Sequence, residues 1–159
     1  MGAIASGAAL IVFFSGLNDW SRHLHAKAAP YLTLTRRFGS YGAVAFMMTG
    51  VFSEDRLLPH TICSVTMFMC MGAAVTLSGV AMLHSPRIPK AVSYLAFTIA
   101  LAEITYGVFH WAKWMEWIVV ALLIVYIAAV SRVSRRMRCA PAQEQNAKPE
   151  TRDPHPIAS

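Results

Sequence analysis

Charge is what this chain has least of. Only 14% of its residues are Asp, Glu, Lys or Arg, and 8 of the 159 are acidic, too few to cover a soluble domain with a solvated surface. Cysteine is scarce as well. Cys63 and Cys70 lie seven apart on one face of an apolar run and Cys139 stands alone, which excludes a disulfide framework or a zinc site and leaves small apolar packing residues. No HExxH, CxxC, nucleophile elbow, P-loop or dinucleotide fingerprint occurs, so neither a metal nor a cofactor is expected. The net charge of +6 does not point to nucleic acid, because the basic residues sit at the ends of apolar segments and form no polar face with interleaved aromatics.

What the chain does have is apolar sequence. The hydrophobic fraction is 56% and the mean hydropathy is +0.47. Five apolar stretches separated by short polar breaks run from Gly2 to Leu17, Phe38 to Phe52, Thr61 to Leu83, Val92 to Phe109 and Trp114 to Val130. The third carries no charge and, as a helix, covers roughly 34 Å, enough to cross a hydrocarbon core of about 30 Å. Backbone groups in lipid must be satisfied within the chain, so the expected fold is all-α: a polytopic bundle of five transmembrane helices over residues 1–136, followed by a disordered cytoplasmic tail over 137–159.

Twelve of the 14 basic residues fall on alternate connections: Arg22 to Arg37, Arg87 with Lys90, and the tail from Arg132 onward. The positive-inside rule makes that side cytoplasmic, placing the N-terminus outside the cell membrane and the C-terminus inside. Trp111, Trp114 and Trp117 at the outer face and Trp20 at the inner face fit an aromatic belt. Met1 to Ser6 matches a myristoylation pattern, but the glycine leads straight into an apolar span, and no basic residue precedes that span as a secretory signal requires.

Glu103 is the one carboxylate inside an expected span, and an acid at that depth is either a functional group or a buried hydrogen-bonding partner between helices. Tyr106 and His110 follow at i+3 and i+7, on the same stripe. His60 opens the third span at the outer boundary, after Glu54 and Asp55. Together Glu54, Asp55, His60, Glu103, Tyr106 and His110 are candidates to surround one outward-facing polar cavity, with Glu116 nearby at the start of the last span. A metal in that cavity is disfavoured because no histidine pair has helical ligand spacing. His84 ends the third span on the opposite side of the membrane from His60, so the two cannot share a haem.

The run Gly50-Val-Phe-Ser-Glu-Asp55 with His60 opening a long span, the basic turn Ser85-Pro-Arg-Ile-Pro-Lys90, and Trp114-Met-Glu-Trp117 entering the last span resemble a prokaryotic six-helix membrane family, domain of unknown function 998. The last motif is also similar to the Frag1/DRAM/Sfk1 group, whose members act in lipid remodelling, autophagy and phosphoinositide kinase recruitment. The resemblance covers about residues 1 to 136. It implies six spans with both termini inside, so residues 2 to 17 match the family's second helix, and the first is expected to be absent through a shortened gene or a late start codon. It places Glu54, Asp55, His60 and Glu116 at recurring polar positions, leaves Glu103 outside them, and implies no activity.

These residues favour a non-enzymatic protein that binds membrane lipid, a second copy of itself or another membrane protein at an outward-facing polar pocket. The competing class is a small transporter or proton-coupled carrier using Glu103, although no internal repeat or broken helix supports it. An intramembrane hydrolase using Ser53, Ser64 or Ser78 with His60 comes third, since serines in such helices usually bond their own backbone.

Overall fold

A computed structural model describes residues 2–17, 26–52, 55–86, 88–108 and 113–147, and all secondary structure among them is helical. Helix α1 spans Gly2–Gly16. A 3₁₀ turn at Ala26–Ala28 leads into α2, Ala29–Val51. Then come α3, Leu57–Leu83, α4, Lys90–Val108, and α5, Lys113–Ala147.

Helix α2 starts nine residues before the span expected from Phe38. Pro30 lies in its first turn, where a fixed φ suits the helix and the missing N–H is not needed. Arg36 and Arg37, which interrupt the apolar run, are good helix formers and continue it. Helix α5 departs from expectation at its other end. The tail expected to be disordered from residue 137 is helical to Ala147, although Pro141 lies within it, a residue that disfavours a helix interior; residues 148–159 lie outside the described residues.

Close contacts set an antiparallel register between successive helices. On α1 and α2, Gly50 faces Ala3 and Gly39 faces the Phe14 ring. On α3 and α4, Gly79 faces Ala96 and, seven residues earlier, Gly72 faces Glu103. These glycines are required by proximity: a Cβ at Gly79 would lie 2.9 Å from that of Ala96, inside any real contact. Small residues that let backbones approach are the usual means of packing helices in lipid.

The α3–α4 turn is closed by backbone bonds from Ser85 to Met82 and from Val92 to Pro89. There His84 Nδ1 bonds the Val80 carbonyl at 2.8 Å, and its ring stacks on Tyr31 of α2. The tightest packing lies near this end, where Phe14, Leu17, Leu32, Val75, Met82, Tyr126 and Val130 are buried. Ser78 donates to the Val75 carbonyl at 2.7 Å, leaving its Oγ to accept from the Tyr126 hydroxyl, which ties α3 to α5.

The outward faces are apolar too. Leu58, Ile62, Val65 and Met69 form an exposed stripe along α3, with Leu58 and Met69 73% and 71% exposed. Leu101 and Ile104 on α4, and Trp114, Trp117 and Val125 on α5, stand open as well. All eight described threonines turn their hydroxyls back onto carbonyls of their own helix at i−3 or i−4, which satisfies the donor without water.

Among the described residues, two helices are long and apolar enough to cross a membrane: Leu57–Leu83 of α3 and the Trp117–Met137 stretch of α5, with mean hydropathies of 1.8 and 2.2. Among the other three, α1 has only 15 residues, α2 holds Arg36 and Arg37 near its start, and α4 opens on Lys90 and contains Glu103. The described residues therefore form an all-helical bundle with two helices long and apolar enough to span a membrane.

Candidate functional site

Glu103 sits on the face of α4 that packs against α3, and its side chain is 7% exposed. It fits there because α3 presents Gly72: Oε2 occupies the space that a Cβ at that position would fill. That oxygen is buried and has no hydrogen-bond partner among the described residues. An unpaired acceptor in so apolar a place is costly unless a proton or a ligand donor reaches it.

Glu103 also lines a cavity of about 400 Å³, within the range of small-molecule sites. Its two long walls are α1, through Ser6, Ala9, Leu10 and Phe13, and α5, through Val119, Val120, Leu123, Ile124 and Ile127. Phe46 of α2 and Met67, Phe68 and Met71 of α3 complete it. Apart from Glu103, the sole polar side chain among the described residues of the wall is Ser6. The walls extend about 10 Å along α1 and about 12 Å along α5, an elongated shape. Two flexible methionines and three phenylalanines make it an adaptable apolar lining.

The sequence-derived candidates are dispersed along the bundle. Tyr106 lies one turn beyond Glu103, with its ring 5.1 Å from that of Phe68, a cavity residue, so Glu103 and Tyr106 belong to one neighbourhood. His60 is twelve residues before Gly72 on α3, or about 18 Å along the helix axis. Its Nδ1 bonds the Phe52 carbonyl at 2.8 Å, closing the α2–α3 turn. Asp55 is exposed in that turn. Glu116 lies in the first turn of α5, with its side chain outside the described part. Glu54 and His110 lie outside the described residues, as does Ser53. Ser78 is about 27 Å along α3 from His60 and is engaged with Tyr126, so these two do not pair as nucleophile and base. Among the described residues no group of three or more His, Cys, Asp or Glu side chains gathers to hold a metal.

Sequence reasoning identified Glu103 but not its seat or the cavity beside it. The available signal was a shared spacing: Gly72 and Gly79 are seven apart, as are Ala96 and Glu103, the pattern of two antiparallel faces in contact.

No protein-family model matches the chain, and no curated protein and no solved structure matches it.

Proposed function

We propose that this chain is a five-span protein of the cytoplasmic membrane that binds a lipid-like molecule in the cavity beside Glu103. The observation that carries this reading is the cavity itself: about 400 Å³, walled almost wholly by apolar side chains, with one carboxyl at its edge. Apolar stripes exposed on α3, α4 and α5 support the five-span arrangement, since in water such patches would drive association. Back-bonded threonines support it as well. Helix α1 is short, about 22 Å, and is accommodated by local thinning of the bilayer; Arg36 and Arg37 extend to the inner headgroups. The distribution of lysine and arginine supports an N-terminus outside; the cavity walls, Ser6 to Phe13 of α1 and Val119 to Ile127 of α5, then lie around the middle of those two spans. Resemblance to domain of unknown function 998 adds an expected architecture and no activity.

Native mass spectrometry of the purified protein, released from lipid nanodiscs, tests the reading. Wild type is expected to retain a lipid-like adduct, and Ala9→Trp or Val120→Trp, each filling the cavity from one wall, to lose it while remaining folded. Equal retention by all three would refute the site.

A second reading, a proton-coupled carrier, is favoured by one observation: the buried Glu103 Oε2 without a partner among the described residues. It requires Glu103→Gln to abolish transport in proteoliposomes while the protein stays folded.

A further inference from the structure

We propose that the ligand of this cavity is a lipophilic amine: an alkyl chain along the α1 and α5 walls, with a cationic, hydrogen-bond-donating head at Glu103. The inference rests on the cavity being a ligand site and adds the chemistry of the ligand. Among the described residues, Glu103 is the one ionisable group in the lining, and no described lysine, arginine or histidine borders it. A phosphate or carboxylate head there would face a carboxyl with no cation to offset it, in surroundings too apolar for screening. A neutral alcohol or a bare chain would fill the volume but place no opposite charge beside the Glu103 carboxyl, whose Oε2 is buried and without a partner among the described residues. An ammonium group supplies donors and opposite charge at once. Gly72 contributes by letting the carboxyl lie against α3 beside the cavity, where a Cβ would push it out. The remaining described walls select only for an extended apolar body, since Ser6 of α1 is the other polar side chain among them.

The test uses the full chain in nanodiscs and three probes of equal chain length: dodecylamine, dodecanol and dodecanoate, each measured by equilibrium binding at neutral pH. Dodecylamine is expected to bind about tenfold or more tightly than dodecanol, with dodecanoate weakest. Glu103→Gln is expected to bring dodecylamine to within about twofold of dodecanol without weakening dodecanol itself. Ranking the probes on wild type decides the matter even if a variant fails to fold. Equal affinities for all three, or an advantage for dodecanoate, would overturn the amine assignment while leaving the cavity as a chain-binding site. Failure of every probe to bind would overturn the cavity reading and this inference together.

Discussion

The carboxyl of Glu103 on α4 lies in the space that the missing side chain of Gly72 leaves open on α3. Neither residue makes sense at its position without the other. Any β-carbon at residue 72 displaces the acid, and without the acid a glycine in mid-helix only lowers helix stability relative to alanine.

Gly72→Ala is therefore expected to destabilise the protein by about 1–3 kcal/mol, the usual range for overpacking. Thermal unfolding in detergent measures it. Gly2→Ala, whose added Cβ meets nothing within 4 Å, is the control and is expected to leave stability unchanged or slightly raised. In the double variant Gly72→Ala, Glu103→Ala the loss should shrink, because the clash is gone.

Packing of α1 on α2 is tested by cross-linking. A Cβ at Gly50 would lie 2.7 Å from that of Ala3, about 1 Å closer than a disulfide needs, so Ala3→Cys with Gly50→Cys is expected to cross-link under mild oxidation after a small separation of the two helices. Shifting one partner to Met48 or Phe52 should abolish it. Efficient cross-linking of a shifted pair would mean that the register is different.

Tyr126→Phe removes the hydroxyl bonded to Ser78. Hydrogen bonds between helices in membranes contribute about 0.6 kcal/mol on average and at most about 1.7, so a double-mutant cycle of Tyr126→Phe with Ser78→Ala should give a coupling in that range. A coupling near zero would show that the pair does not hold α3 to α5.

Much of the helical scaffold was legible in the sequence, because uninterrupted apolar runs have few alternatives once they exceed membrane length. Helix α3 illustrates this: the expected span from Thr61 to Leu83 lies within the observed Leu57–Leu83. The start of α2 was hidden by Arg36 and Arg37, which break hydropathy without breaking a helix. Glu103 was legible as a lone acid in apolar sequence. Its surroundings were not, since the cavity is built from ordinary core-type residues such as Leu10, Met67 and Val120 on three different helices, and only tertiary placement distinguishes a wall from a core. His60 shows the opposite case, a residue prominent in sequence whose ring nitrogen is engaged in closing a turn.

Orientation is tested with reporter fusions. A periplasmic reporter should be active when fused near Asp55 or Lys113 and silent near Arg36, Arg87 or Arg138. Activity near Arg87 would contradict five spans.

The central claim, that an apolar chain occupies the cavity between α1 and α5, is tested most directly by photolabelling. A diazirine placed along the alkyl chain of dodecylamine, activated with the protein in nanodiscs and mapped by peptide mass spectrometry, is predicted to mark Ala9, Phe13, Val120 and Leu123, with the labelling suppressed by excess unlabelled dodecylamine. Labels spread without competition over the outward faces at Val12, Leu101 and Ile104, with none enriched at the cavity walls, would contradict it.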